Sequence, residues 1–420
     1  MTLTHTPSRR GLLTGTRSAI VGVIAAAAAV VLIASPAQAQ TAAVTPPPTA
    51  GLQYVALGDS YAAGFGITPG TGAPVPGCQQ AAENYPHQVA AQLGLDLTDV
   101  TCTGAVTANI IGTSQVTPDY FGGGTALPQV GALSADTDVV SVSIGGNDAG
   151  FSQIAEECLA LTATGPVAGP DKSFSSPDCQ SIYVQSGVDT LAQLITTTVA
   201  ANLANAYTAI ATAAPNATVF VVGYPSLLPD AANTPAGGCF TSILGPNGLE
   251  PPHPQNAIPF TDIDVPYIHS IEVLLNATIA QQAAAAGFTF IDNQPGSLAH
   301  SACPQSASPY VNGITLRSLT VEPLTEPGGL HPNAAGVAFL TAQTVPVIAA
   351  AFPAPVPTPT PSPTPTPAAT SVPAGLAATG SDHAAAVPVV AVGAVIIAMG
   401  ALLLTTARRA SVTRRRRSES

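Results

Sequence analysis

The stretch that decides the fold is residues 54–64, Tyr-Val-Ala-Leu-Gly-Asp-Ser-Tyr-Ala-Ala-Gly. Its first four residues form a short apolar run that is typical of a buried strand. Ser60 follows this run after Gly58 and Asp59, so it is expected at the end of a sheet and the start of a helix. That position exposes the serine hydroxyl and places it at the positive end of the helix dipole. The same pattern also fits a serine that only caps a helix.

Short apolar runs alternate with longer Ala-rich segments over residues 51–352, which predicts one α/β domain with a mostly parallel sheet. In such a sheet, the loops after the strands converge on one crevice. We expect strands at Leu52–Leu57, Leu97–Thr101, Val139–Ile144, Thr218–Val222 and Phe288–Ile291. We expect helices at Asn84–Leu93, Ser181–Ala214, Tyr267–Ala286 and Asn333–Ala350.

Three further segments carry groups suited to chemistry in that crevice. Gly104 lies in the turn after the second strand, where its backbone N–H can point inwards. Asn147 follows the third strand in Gly-Gly-Asn-Asp, and its amide can donate to a developing oxyanion. His331 stands in Gly-Gly-Leu-His-Pro before the last helix, where an imidazole can reach a serine. Each segment taken alone also fits an ordinary turn.

These four segments, in this order, resemble the SGNH hydrolases, also called GDSL esterases and lipases, over roughly Leu52 to Ala350. The resemblance implies a flavodoxin-like three-layer α/β/α sandwich with a mostly parallel five-stranded sheet. It implies that Ser60 attacks a carboxylic ester to form an acyl-enzyme, while His331 moves the proton. The N–H groups of Ser60 and Gly104 and the amide of Asn147 would bind the oxyanion. No metal or other cofactor is implied.

One position departs from the family pattern. The family carries Asp three residues before its histidine, and this chain has Gly328 there. The imidazole Nδ1–H still needs an acceptor that fixes its tautomer. We expect a main-chain carbonyl near Gly328, giving a Ser-His dyad, with the Glu326 carboxylate as the alternative that would complete a triad. Asp148 is expected to orient a loop.

Six cysteines fall in the central part of the chain, and an even number in an exported protein predicts three disulfides. Six cysteines permit about 15 pairings, and buried free thiols are the alternative. Consecutive pairing closes local loops and is also the arrangement implied by the secreted actinobacterial branch of the family. It would join Cys78 to Cys102, Cys158 to Cys179, and Cys239 to Cys303. The chain has no Cys-x-x-Cys, which argues against zinc and redox chemistry.

Both ends of the chain carry features of targeting signals. Residues 1–39 resemble an export signal that ends in Ala-Gln-Ala, a site suited to signal peptidase, and their Arg-Arg pair resembles a twin-arginine signal. Residues 40–50 are expected to be a short linker. Residues 353–375 form a Pro/Thr-rich spacer suited to spanning a cell wall.

Residues 376–420 begin with Leu-Ala-Ala-Thr-Gly, followed by an apolar segment at 387–404 and a basic tail. This order resembles a sortase sorting signal, with cleavage between Thr379 and Gly380 and attachment to peptidoglycan. The alternative is that 387–404 stays as a transmembrane anchor, with the basic tail in the cytoplasm. Either outcome places the domain outside the cell.

The charge balance excludes one class of partner. Residues 40–379 contain two basic and 21 acidic residues, a formal charge of −19. Such a surface repels nucleic acid. We therefore expect no nucleic-acid partner. The resemblance implies an ester substrate, and the terminal signals indicate an extracellular protein, expected to be a monomer, that is processed by signal peptidase and sortase. Two alternatives remain open, a carbohydrate acetyl esterase on the same fold and a non-catalytic surface adhesin.

Overall fold

The computed structural model describes residues 47–248, 250–303, 308–318 and 323–354. The predicted export signal, residues 40–46 of the linker, the spacer from residue 355 and the sorting signal with its apolar segment lie outside these residues. Residues 47–50, which we assigned to the linker, pack on the domain. Thr49 is buried, and its hydroxyl donates a hydrogen bond to the Leu93 carbonyl over 2.6 Å.

Five strands of the described chain form one parallel sheet in the order β2-β1-β3-β4-β5. This is the flavodoxin-like order, and the predicted fold class is confirmed. The order reverses between β1 and β3. The strands are β1 (Gln53–Gly58), β2 (Asp96–Asp99), β3 (Val139–Ser143), β4 (Thr218–Val222) and β5 (Thr289–Ile291).

Helices connect these strands and follow the last one. The α-helices are α1 (Ser60–Ala63), α2 (Tyr85–Leu93), α3 (Thr107–Ile111), α4 (Phe151–Glu157), α5 (Gln180–Tyr183), α6 (Thr190–Leu194), α7 (Ala200–Ala213), α8 (Asp264–Ala285) and α9 (Ala334–Ala351). Short 3₁₀ turns lie at Pro76–Cys78, Asp119–Phe121, Gln129–Ala132 and Leu298–His300, and a π-helical turn lies at Ile195–Val199. Two small antiparallel hairpins pair Gln115–Val116 with Thr125–Ala126 and Val184–Gln185 with Val188–Asp189.

Both faces of the sheet are buried, which makes the domain three layers thick. Along β1, Tyr54 and Ala56 pack in one apolar cluster together with side chains of α2 and α9. Val55 and Leu57 point to the other face and pack in a second cluster with side chains of α7 and α8. The alternation follows from the two-residue repeat of a strand. The sheet therefore separates two apolar clusters, one on each of its faces.

Helix α9 is long and apolar enough to cross a membrane by length and composition. Its Val337, Leu340 and Ile348 side chains are buried beneath the sheet face that α2 also covers. Part of the apolar character of α9 is therefore explained by the face that packs in the core.

The prediction of a single helix over Ser181–Ala214 is wrong in its first part. Helix α5 ends at Tyr183, and a tight hairpin follows before α6 begins. The two turn residues, Ser186 and Gly187, have φ angles of 53° and 79°. A two-residue turn with both φ values positive matches the twist of a hairpin and cannot continue a right-handed helix. The other predicted elements agree with the structure to within three residues at each end.

The six cysteines form three disulfides in the structure, Cys78–Cys102, Cys158–Cys179 and Cys239–Cys303. Their Cα–Cα distances are 4.3, 5.0 and 5.3 Å. The first bond lies two residues before Gly104 and holds that turn against the 3₁₀ segment at residue 78. The second joins the end of α4 to the start of α5.

The sharp exit from β1 depends on glycine. Gly58 has a φ of 143°, and a Cβ atom there would lie 2.6 Å from the Ser143 carbonyl oxygen of β3. Only a residue without a side chain fits so close to the neighbouring strand. The next amide, of Asp59, donates to the same oxygen over 3.0 Å. Ser60 is thereby fixed between β1 and β3, where the strand order reverses and ligands bind in folds of this kind.

Candidate active site

Ser60 is the first residue of α1 and follows β1 after a single intervening residue, Asp59. The Asp59 carboxylate caps the helix by accepting a hydrogen bond from the Tyr61 N–H over 3.0 Å. The Ser60 side chain is nearly buried but borders the cavity described below. Because Ser60 opens the helix, its own N–H has no carbonyl partner within α1.

His331, which lies 271 residues after Ser60 in the chain, contacts the serine directly. Its Nε2 lies 2.7 Å from the Ser60 Oγ, and its Nδ1 lies 2.7 Å from the Gly329 carbonyl oxygen. A carbonyl can only accept, so Nδ1 carries the hydrogen and Nε2 is left as the acceptor for the serine hydroxyl. The imidazole therefore has the tautomer that a general base for Ser60 requires.

The acceptor on Nδ1 is a main-chain carbonyl near Gly328, as expected, but it belongs to Gly329 and not to Gly328 or the Glu326 carboxylate. The Gly328 carbonyl accepts instead from the main-chain N–H of His331 over 3.2 Å and from the Asn312 amide over 3.2 Å. Glu326 borders the cavity with an exposed side chain, and the Nδ1 position is taken by the Gly329 carbonyl. The observed acceptor lies one residue after Gly328, because the turn at Gly328 directs the Gly329 carbonyl towards Nδ1 of His331.

The conformation of Gly328 explains why an aspartate does not stand there. Its φ is 89°, in the left-handed region that favours glycine. A Cβ atom at this position would lie 3.1 Å from the Gly66 Cα, and one on Gly66 would lie 2.5 Å from the Gly328 Cα. The two backbones touch, so this loop has no room for a triad carboxylate at residue 328.

Burial sets the protonation state of the base. Removal of the imidazole from water lowers the pKa of His331 from its usual value of 6.5 to about 4, and the bond to the Gly329 carbonyl offsets part of this effect. The imidazole is consequently neutral at pH 7. In that state it can accept a proton from Ser60.

Two further groups from the sequence analysis lie beside the serine. Gly104 has a φ of 82° and is exposed, and its N–H meets no acceptor among the residues that the structure describes. Asn147 donates one amide hydrogen to the Ala105 carbonyl over 2.9 Å, which fixes the side chain and leaves its second hydrogen. Ser60, Gly104, Asn147 and His331 all line the same cavity. Asp148 binds the main chain and hydroxyl of Thr107 and so ties the turn after β3 to α3.

Sequence reasoning missed a pair of tyrosines that connect the loops of the site. The Tyr224 hydroxyl donates to Asp59 Oδ2 over 2.5 Å and accepts from the Gly146 N–H over 3.0 Å. Burial raises the pKa of Asp59 to about 7. The Tyr61 hydroxyl donates to the Leu330 carbonyl over 2.6 Å. The sequence offered one signal for these contacts, the position of Tyr61 next to Ser60. Most of the hydrogen-bond partners of the two tyrosines are main-chain groups, which a sequence pattern does not reveal.

The cavity beside the serine has a volume of about 710 Å³. Its polar lining groups include Ser60, Asn147, His331 and Glu272, and most of the remaining wall is apolar. This wall includes Phe151, Ile154, Leu159, Leu228, Phe260 and Leu275. Pockets of this size and character hold small organic ligands. The space suits a molecule with one reactive polar group and an extended apolar part.

Comparison with known proteins identifies the family of the chain. The model of the GDSL-like Lipase/Acylhydrolase family matches residues 56–339. The chain belongs to this family. This GDSL hydrolase is accordingly a carboxylic ester hydrolase with lipase or esterase activity. The resemblance stated from the sequence motifs is confirmed at the level of the family.

The relatives of this chain include lipases and an esterase of Streptomyces. Lipase 2 of Streptomyces coelicolor is 30% identical over 349 residues, which cover 81% of this chain and 98% of the relative. An esterase of Streptomyces scabiei is 31% identical over 301 residues, covering 67% and 81% of the two chains. The crystal structure of an extracellular lipase from Streptomyces rimosus aligns with a TM-score of 0.49 at 26% identity, covering 72% of this chain and 100% of that one.

The lowered pKa of His331 predicts how activity depends on pH. A protonated imidazole cannot accept the serine proton, so kcat/KM should fall as pH drops through about 4 and stay high from pH 5 towards neutrality. The measurement is a pH profile of kcat/KM on a soluble ester, with circular dichroism at each pH as the control for folding. An acid limb near pH 6.5 in folded protein would contradict the prediction.

Proposed function

We propose that this GDSL hydrolase is an exported serine esterase or lipase that cleaves esters of apolar acyl chains through a Ser60–His331 dyad and an acyl-enzyme. The observation that carries the proposal is the 2.7 Å contact between Ser60 Oγ and His331 Nε2, with Nδ1 held by a carbonyl. A nucleophile, a base and a group that orients the base are the parts that acyl transfer requires.

In the first half of the proposed reaction, His331 takes the Ser60 proton as Oγ attacks the ester carbonyl. The carbonyl oxygen becomes an oxyanion, which accepts hydrogen bonds from the N–H groups of Ser60 and Gly104 and the free amide hydrogen of Asn147. The imidazolium then returns its proton to the departing alcohol. The C–O ester bond breaks, and the acyl group remains on Ser60.

In the second half, His331 takes a proton from water, and the resulting hydroxide attacks the acyl-enzyme. The same donors hold the second oxyanion. The imidazolium gives its proton to Ser60 Oγ, and the carboxylic acid product leaves. The partial negative charge of the Gly329 carbonyl stabilises the imidazolium at each stage, and no carboxylate among the described residues binds Nδ1.

The walls of the cavity favour lipids over acetylated polysaccharides. An acetyl group would occupy only a small part of about 710 Å³, and the apolar side chains around the rest would have no partner. Burial of methylene groups against them contributes about 0.8 kcal/mol for each group. A medium or long acyl chain therefore fits this site better than the acetyl esterase alternative.

Ser60→Ala should abolish ester hydrolysis and labelling by a fluorophosphonate probe, because both need the serine oxygen. Asn147→Ala should lower kcat by about 10²–10³, the usual effect of removing an oxyanion donor. Activity assays and gel fluorescence measure the two effects, with circular dichroism as the control for folding. Full turnover by Ser60→Ala would refute the assignment, and folded wild-type protein that neither labels nor turns over would favour the adhesin alternative.

Ala155→Phe should shift the preference of the enzyme towards short acyl chains. Ala155 lies on α4 and borders the cavity, so a larger side chain there would fill space that the acyl tail occupies in the proposed complex. We expect kcat/KM for a dodecanoyl ester to fall about tenfold while the acetyl ester changes little, since the loss of about two methylene contacts at about 0.8 kcal/mol each corresponds to this factor. Ala201→Phe, at an exposed position on α7, is the matched control. An unchanged chain-length profile in Ala155→Phe would argue against the acyl site.

We further propose export by the signal at residues 1–39 and attachment to peptidoglycan through Thr379 after sortase cleavage. The support is the order of sequence features, a small-residue cleavage site at one end and Leu-Ala-Ala-Thr-Gly, an apolar segment and a basic tail at the other. Mass spectrometry of muramidase-released wall fragments should find Thr379 as the last residue. A mature protein that extends to Arg417 or beyond would show that the apolar segment is retained.

A further inference from the structure

The base of this site depends on a loop for its orientation. In a triad a carboxylate holds Nδ1, whereas here the acceptor is a peptide carbonyl in the sequence Gly328-Gly329-Leu330. Leu330 has a φ of 56°, a strained value for a residue with a side chain. A glycine-rich loop with a strained residue needs an outside contact to keep one conformation.

Tyr61 supplies such a contact. Its hydroxyl donates to the Leu330 carbonyl over 2.6 Å, one peptide beyond the carbonyl that binds Nδ1. Its ring lies 5.0 Å from the His331 ring at an angle of 38°, and Tyr224 packs edge-on against it at 4.9 Å. Phe65 meets the imidazole from another direction, with centroids 5.1 Å apart.

The main chain of Tyr61 is itself fixed. Its N–H donates to Asp59, and it follows the nucleophile directly in α1. The hydroxyl of Tyr61 therefore holds the loop of His331 at a set distance from Ser60, because one helical turn carries both the nucleophile and the anchor of the base. On the other side, Asn312 pairs with the same loop through the Leu330 N–H and the His331 carbonyl.

We propose that Tyr61 is a positioning residue for the dyad, whose hydroxyl holds the Leu330 peptide so that the Gly329 carbonyl stays on Nδ1 and Nε2 stays on Ser60. The inference rests on the proposed function, since it concerns the base of that reaction. Tyr61 thus provides the orientation that a triad obtains from its carboxylate, through the main chain and without a charge.

The test compares Tyr61→Phe with Tyr54→Phe. Tyr61→Phe keeps the ring and removes the bond to Leu330. Tyr54→Phe removes an equally short buried bond, 2.7 Å to the Ser141 hydroxyl, in the sheet away from the site. The readouts are kcat and KM for a soluble ester, the acid limb of kcat/KM, and the rate of fluorophosphonate labelling per mole of folded protein.

In Tyr61→Phe we expect kcat and the labelling rate to fall by about 10- to 100-fold, as small displacements of a catalytic group do, with KM changed by less than about twofold. The acid limb should move upwards from about pH 4 as water gains access to the loosened imidazole. Tyr54→Phe should keep the wild-type kcat and acid limb. Thermal unfolding of both variants reports any general loss of stability.

Wild-type kcat and acid limb in Tyr61→Phe would overturn the proposal. It would also be overturned if both variants lost activity equally with no change in the acid limb, because that result indicates only a general structural role. A wild-type protein without hydrolysis or labelling would instead contradict the proposed function. The two failures are therefore distinguishable.

Discussion

A hydrogen bond between the Ser60 hydroxyl and the His331 imidazole, 271 positions apart in the chain, is the contact on which the site depends. Ser60 is placed by the reversal of strand order between β1 and β3 and by the contact of Gly58 with Ser143. His331 is placed by α9, which packs beside α2 on the same face of the sheet. Ser60 and His331 meet only if the sheet, helices α2 and α9, and the loop before α9 are all correctly packed. The geometry of the site is thus a property of the whole domain.

The use of a carbonyl in place of a carboxylate has an electrostatic consequence. A carboxylate brings a full negative charge that raises the pKa of a neighbouring imidazole, whereas a peptide carbonyl brings only a partial charge. Burial therefore dominates at His331 and lowers its pKa to about 4. The base is always available near neutrality, but it is intrinsically weaker than an imidazole paired with an aspartate. In the proposed mechanism, catalysis then relies more heavily on orientation and on the oxyanion donors.

The sequence was most informative where local pattern and chemistry coincide. The apolar run at residues 54–57 predicted the first strand of the sheet. The turn residues around Ser60, Gly104, Asn147 and His331 predicted that these four groups lie at one edge of the sheet. The prediction of one helix over Ser181–Ala214 was wrong because the segment is rich in Ala and Thr, and the two-residue turn at Ser186-Gly187 was not recognised within it. The carbonyl of Gly329 could not be distinguished from that of Gly328, since main-chain groups have no signature in sequence. The tyrosine contacts were missed for the same reason.

The late position of His331 in the chain affects when the serine becomes reactive. Ser60 and most of the sheet are synthesised well before His331, and the imidazole reaches the serine only when α9 has packed against the domain. An incomplete chain therefore contains the nucleophile without its base. The contact between Ser60 and His331 can therefore form only in a chain that has been synthesised as far as α9.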